Sequence, residues 1–285
     1  MSDEPDLGGV MRRVKGYLEL MRPLNGLIAL ASVWAGGFIS SGGLRPVSKL
    51  AITSVSALLI LSSGNAINDW CDVEIDRINR PSRPIPSGRA SRGGALALAV
   101  ICAVFGIALS TLVSLPAFRL AFSALLLLFL YAFKLKGTPL MGNGVVAALT
   151  GLIFVAGGIA VGRVGGSLVP AAFASLFTFA REVVKDMEDV EGDRKAGART
   201  APVVWGLRRA GLISAAAMIL LILITPLPAL MLGYSWRYVA VVGIGVNLPL
   251  IWCAASIARS PSKAPLIQRV MKFDIFAALL AICLK

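Results

Sequence analysis

Long apolar runs alternate with short charged stretches along the whole chain. A helix needs about 20 apolar residues to cross the hydrocarbon of a bilayer. Nine runs approach or reach that length: 24–40, 50–68, 95–114, 117–134, 143–162, 166–181, 208–226, 233–257 and 270–284. The pattern predicts an all-α, multispanning membrane protein with nine transmembrane helices. It forms a single membrane-embedded domain over 1–285. Met1 to Gly16 is too acidic and polar for a signal peptide, and Val14 to Glu19 reads as an amphipathic lead-in along the membrane surface.

Composition agrees with this class. Hydrophobic residues make up 57% of the chain and mean hydropathy is +0.80. Charged residues are 15%, against about 25% in soluble domains. Charge also orients the chain. With the N-terminus inside and a crossing at each of the nine runs, 22 of the 28 Lys and Arg residues fall on the inner side. Only Arg45, Lys49, Arg119, Arg163, Arg237 and Lys285 lie outside. This is the positive-inside pattern, and losing one span would scramble it. A multi-pass cell-membrane protein is expected, with a cytoplasmic N-terminus. The net charge of +13 then needs no nucleic acid, because anionic lipid headgroups are sufficient partners. No obligatory protein partner is evident. Four scattered cysteines show no ligand spacing, and the absence of histidine excludes histidine-based catalysis and the common zinc sites.

The few acidic residues are unevenly placed. Of 15, ten lie between Asp69 and Asp76 or between Glu182 and Asp193. Asp69, Asp72 and Asp76 share their spacing with Asp186, Asp189 and Asp193, each pair offset by 117 residues. That offset suits two four-helix pseudo-repeats, about 17–140 and 141–258, with a final helix at about 270–284 left over. Steps of three and four return side chains to one helical face, so each motif can present three carboxylates together. So many like charges need compensation by cations. Carboxylate oxygens suit Mg²⁺, commonly shared with substrate phosphates. The alternative is salt bridging to Arg77, Arg181 or Lys185, which accounts for one or two carboxylates rather than six.

Cationic and polar residues gather on the same side. Arg77, Arg80 and Arg83 stand in a proline-punctuated loop one turn after Asp76, placed either to bind phosphate or to anchor the inner face. Lys134 ends the fourth span three residues after Tyr131, a spacing that puts ring and ammonium on one helical face; Asn143 follows after a short loop. Lys185 directly precedes the second motif. Arg22 and Asn25 flank Pro23, a plausible first helical residue, and Asn25 needs a polar partner in its apolar setting.

The run Asn68-Asp69-Trp70-Cys71-Asp72-Val73-Glu74-Ile75-Asp76-Arg77, with Asn79-Arg80-Pro81-Ser82-Arg83-Pro84 behind it, resembles the first signature of the UbiA-type intramembrane prenyltransferases. Lys185-Asp186-Met187-Glu188-Asp189-Val190-Glu191-Gly192-Asp193 resembles their second. The likeness spans almost the whole chain. It implies nine helices around a central cavity, both motifs at a cytoplasmic mouth, and Mg²⁺ held by Asp69, Asp72, Asp76, Asp186, Asp189 and Asp193. The position of Lys134 at the end of the fourth span makes it a candidate to assist catalysis by binding phosphate. Arg22, Asn25, Asn68, Arg77, Arg83, Tyr131, Asn143 and Lys185 would bind substrate.

Within the superfamily the second motif and compact loops look most like the archaeal digeranylgeranylglyceryl phosphate synthases. That branch transfers a geranylgeranyl group from geranylgeranyl diphosphate to geranylgeranylglyceryl phosphate, an ether-lipid step. Acceptor preference is not written in the aspartates, so prenylation of an aromatic quinone precursor such as 4-hydroxybenzoate stays open. A transporter of lipid or phosphate compounds is the reading from another class.

Overall fold

A computed structural model describes residues 7–284 as helices joined by short loops. Lys285, assigned above to the outer face, lies outside them, as do the first six residues of the stretch judged unlike a signal peptide.

Helix α1 (Leu7–Met21) runs into α2 (Pro23–Ser41) through Arg22, whose left-handed φ of 54° turns the chain just before Pro23 opens the next helix. Next come α3 (Val47–Cys71), the short α4 (Val73–Asn79), α5 (Arg92–Val113) and α6 (Leu115–Leu130). Ser91 and Ser114 cap α5 and α6, accepting hydrogen bonds from the Gly94 and Ala117 amides. A π-turn at Tyr131–Leu135 ends α6. The second half holds α7 (Met141–Ala160), α8 (Leu168–Glu188), α9 (Val190–Lys195), α10 (Ala201–Trp205), α11 (Leu207–Ile224) and α12 (Leu227–Leu232). It closes with α13 (Trp236–Val242), a second π-turn at Gly243–Asn247, α14 (Leu248–Arg259) and α15 (Ala264–Ile282).

Eight helical stretches among the described residues are long and apolar enough to cross a membrane. They are Pro23–Ser41, Val47–Cys71, Arg92–Val113, Leu115–Leu135, Met141–Ala160, Gly165–Glu188, Leu207–Leu232 and Trp236–Arg259. The run expected at 270–284 falls on α15, a 19-residue helix whose apolarity is interrupted by Arg269, Lys272 and Asp274. One boundary moves with consequence. The run expected to end at residue 181 continues as helix to Glu188, carrying Arg181, Glu182, Lys185 and Asp186 inside the helical stretch.

Helices pack where side chains are small. A methyl group on Gly36 would stand 2.1 Å from the Phe154 carbonyl oxygen, and one on Gly157 would stand 2.0 Å from that of Val33. The backbones of α2 and α7 therefore touch, as membrane helices do when glycine permits. The main core lies in the second half, around Val183, Val184, Met218, Tyr238, Leu250, Ile257 and Met271. Helix α6 instead sits at the perimeter: Ala117 is its only buried residue, and Phe122, Leu126 and Leu130 are exposed.

Candidate active site

The two aspartate motifs share one backbone form. Helix α3 stops at Cys71, Asp72 takes φ −86° and ψ 3°, and α4 starts at Val73. Helix α8 stops at Glu188, Asp189 takes φ −89° and ψ 5°, and α9 starts at Val190. These values lie in the sparsely populated bridge region. The expectation of one continuous helical face is thus corrected: each middle aspartate is the joint between two helices. The four-residue hydrogen bonds nevertheless run through the joint. The Asp72 amide donates to Asn68 O (3.0 Å) and the Asp76 amide to Asp72 O (2.8 Å). The Asp189 amide donates to Lys185 O (3.0 Å) and the Asp193 amide to Asp189 O (2.9 Å). Each motif therefore bends without losing its register.

In the first motif all three aspartates are buried and each meets a cation. Arg22 donates to Asp69 Oδ1 at 2.8 Å. Arg83 reaches Asp76 Oδ2 at 2.6 Å and Asp69 Oδ1 at 3.3 Å. Asp72 accepts from Asn68 Nδ2 at 3.0 Å and forms an ion pair with Lys136. Burial pushes the Asp76 carboxyl above the ordinary aspartate value, an effect the Arg83 guanidinium only partly offsets. Desolvation disfavours the Arg83 cation, but Asp69 and Asp76 outweigh it and hold its pKa raised.

The second motif is compensated differently. Asp186 accepts from Asn143 Nδ2 at 2.8 Å and Asp193 from Thr200 Oγ1 at 3.0 Å, both neutral donors. Of the three aspartates only Asp189 forms an ion pair among the described residues, and its cation comes from the first half: Arg80 grips both its oxygens at 2.8 and 3.0 Å. Burial raises the Asp193 carboxyl too, with the Thr200 hydrogen bond acting in the opposite sense. The Arg80–Asp189 pair holds the two motifs together, and the Arg199 amide, in the loop after α9, bonds Gly137 O, in the loop after α6, at 2.8 Å.

Other expected site residues divide between those gathered here and those set apart. Arg22, Asn68, Arg83 and Asn143 touch the aspartates directly. Tyr131 lies within electrostatic reach of Lys185, Glu182, Asp186 and Asp72. Lys185 is turned to Glu182 Oε2 at 3.1 Å, one turn back on α8. Arg77 is exposed and paired with Glu74 at 2.8 Å, and Asn25 is exposed at the start of α2. Lys134 is exposed, and the lysine that reaches Asp72 is Lys136. The π-turn accounts for this change of register. The Lys136 amide bonds Tyr131 O at 3.0 Å, and an i→i+5 turn brings round the fifth residue after the tyrosine rather than the third. Nor do the ion pairs follow the expected salt-bridge partners; Arg22, Arg80, Arg83 and Lys136 take the carboxylates in place of Arg77, Arg181 and Lys185.

The donor set suits a hard divalent cation: carboxylates supported by amide and hydroxyl groups, with no imidazole. Among the described residues no three carboxylates converge on a common point. Each aspartate is instead turned to the partner named above.

Comparison with known proteins places this geometry. The model of the UbiA prenyltransferase family matches residues 29–277. A digeranylgeranylglyceryl phosphate synthase from Pyrococcus abyssi is 37% identical over 271 residues, covering 95% of this chain and 97% of that protein. One from Natronomonas pharaonis is 40% identical over 275 residues, covering 95% and 96%. Among solved structures, one concerned with digeranylgeranylglyceryl phosphate synthase in membranes superposes with a TM-score of 0.78 at 31% identity, covering 95% of this chain and 97% of that one. A UbiA homologue from Archaeoglobus fulgidus bound to GPP and Mg²⁺ shares the fold with a TM-score of 0.67 at 17% identity, covering 94% and 99%. The chain, with its paired aspartate motifs at the ends of α3 and α8, belongs to the UbiA prenyltransferase family.

Proposed function

We propose that this protein transfers a geranylgeranyl group from geranylgeranyl diphosphate to the free hydroxyl of geranylgeranylglyceryl phosphate, with Mg²⁺ as cofactor. The observation that carries the enzyme reading is the pair of like-bent aspartate motifs held together by Arg80 and Asp189. The acceptor reading is supported by relatives 36–40% identical that bear the name of that synthase.

Asp69, Asp72, Asp76, Asp186, Asp189 and Asp193 would hold the metal, which supplies Lewis-acid neutralisation of the departing diphosphate. The chain's own cations share that task. Arg80 and Lys136 now cover Asp189 and Asp72, and both can turn from carboxylate to phosphate oxygen when a diphosphate enters. The allylic C–O bond breaks with its electron pair leaving on diphosphate; the acceptor oxygen bonds to C1 and gives up its proton to the released diphosphate or to water. Charge placed in advance where it develops lowers the barrier most. Arg22 and Asn143, at the starts of α2 and α7, anchor the first aspartate of each motif, Asp69 and Asp186.

The same reading takes α15 as a ninth span, giving two four-helix pseudo-repeats and a last helix, with N-terminus and mouth cytoplasmic. The matched bends at Asp72 and Asp189 and the inner-side excess of Lys and Arg support it. Purified protein supplied with geranylgeranyl diphosphate, Mg²⁺ and both candidate acceptors tests the function. Ether product with geranylgeranylglyceryl phosphate, lost on chelation, is expected. Product with 4-hydroxybenzoate alone would overturn the acceptor, and flux of unreacted substrate across sealed vesicles would favour transport.

A further inference from the structure

Arg181 stands apart from every pairing described above. It lies five residues before Asp186 on α8, about 7 Å along the axis toward the bilayer interior. Its Nε is buried and has no hydrogen-bond partner among the described residues. Glu182, the carboxylate within its electrostatic reach, is already bonded by Lys185. Arg181 and Lys185 are four residues apart and share a helical face. The Lys185 side chain is 35% accessible, against 12% for Glu182. A guanidinium set into a membrane helix without a bonded anion is costly, and such a residue marks a ligand by default.

We propose that Arg181, with Lys185 beside it, binds the phosphate of the acceptor, and that this contact selects a phosphorylated glycerol ether over a neutral one. The proposal rests on the function given above and assigns a part of it that the aspartates do not explain. In the acceptor, the phosphate ester is separated from the attacking hydroxyl by two carbons of the glycerol. A phosphate on Arg181 therefore keeps the hydroxyl close to the prenyl C1, beneath a diphosphate held at the aspartate layer. A planar guanidinium offers two parallel donors to phosphate oxygens, which fixes orientation as well as affinity.

Arg181→Gln in the full-length protein is compared with wild type on geranylgeranylglyceryl phosphate and on the same ether lacking phosphate. Wild type should favour the phosphorylated acceptor. Arg181→Gln should lose about 10- to 100-fold in kcat/KM for it. The same variant should keep wild-type values for the unphosphorylated ether and for the KM of geranylgeranyl diphosphate. Arg181→Lys, which keeps the charge without the fork, should fall between them. Equal losses on both acceptors would make Arg181 merely structural, and a raised donor KM would move it to the diphosphate; either result overturns the proposal. Wild-type turnover with unchanged discrimination in Arg181→Gln sinks this inference alone, whereas wild-type transfer to neither ether sinks the function with it. Should Arg181→Gln fail to fold, the Arg181→Lys comparison and the thermal shift of chelated wild type decide. Stabilisation by the phosphorylated ether no greater than by the neutral one contradicts the proposal.

Discussion

The two aspartate motifs have the same spacing and the same bend, yet their charges are compensated unequally. Three carboxylates of the first motif meet three cations, Arg22, Arg83 and Lys136. Three carboxylates of the second meet one, Arg80, and otherwise the neutral Asn143 and Thr200. The partners themselves correspond. Arg83 and Thr200 lie seven residues after Asp76 and Asp193, so they are offset by the same 117 residues as the aspartates. Arg22 and Asn143 likewise stand at the starts of α2 and α7. Replacing cation by neutral donor at matched positions leaves the second motif with more uncompensated negative charge. Under the function proposed above, the first motif would be a self-neutralised frame and the second the stronger attractor for a divalent ion.

The largest expected effect is on turnover. Asp189→Asn or Asp186→Asn removes a carboxylate from the motif with fewer paired cations, and should lower kcat/KM by at least about 100-fold, more than typical outer-shell losses. Glu74→Gln should change it less than about twofold, since Glu74 is exposed and paired only with Arg77. Steady-state kinetics at matched folded protein make the comparison, and similar losses for Glu74→Gln and Asp189→Asn would erase the distinction.

A frame that neutralises itself should reveal its cations through stability. Arg83→Met leaves Asp69 and Asp76 buried beside one fewer positive charge, and should cost up to about 3 kcal/mol. Thr200→Val removes one hydrogen bond from Asp193 and should cost about 1 kcal/mol. Thermal unfolding in detergent orders the two variants, and Thr200→Val proving the more damaging would reverse the assignment.

Acidity is expected to act more gently and on both motifs. Asp76 and Asp193 have raised pKa values, so each takes up its proton at higher pH than an ordinary aspartate. The raised value means that folding favours the protonated form of these groups. Their own contribution to stability is therefore present at low pH and lost as pH rises through the folded value. Metal needs the deprotonated form, so the Mg²⁺ concentration for half-maximal rate should climb as pH falls, beginning above the usual carboxylate range. Activity assayed across a pH and Mg²⁺ grid reads this out; a half-saturation independent of pH down to the ordinary aspartate range would contradict it.

Much of this site was legible in the chain. The 117-residue offset located all six aspartates, and the proline-broken loop pointed to Arg80 and Arg83. Extending that offset beyond the aspartates would also have found Thr200 from Arg83. Other parts were hidden for physical reasons. Lys134 fits an α-helical register with Tyr131, and only the π-turn gives the position to Lys136. The charges that begin at Arg181 close the apolar run at residue 181, although α8 continues as helix to Glu188. The bends at Asp72 and Asp189 carry no glycine or proline to announce them.

The most direct measurement is Mn²⁺ binding, followed by electron paramagnetic resonance in the presence of an unreactive diphosphate analogue. Wild type, Asp72→Asn and Asp186→Asn are titrated side by side. Asp72 is paired with Lys136 and Asp186 meets only the neutral Asn143 amide, which predicts that Asp186→Asn abolishes the tight component, while Asp72→Asn weakens it by a smaller factor. Tight binding retained in Asp186→Asn and lost in Asp72→Asn would contradict it.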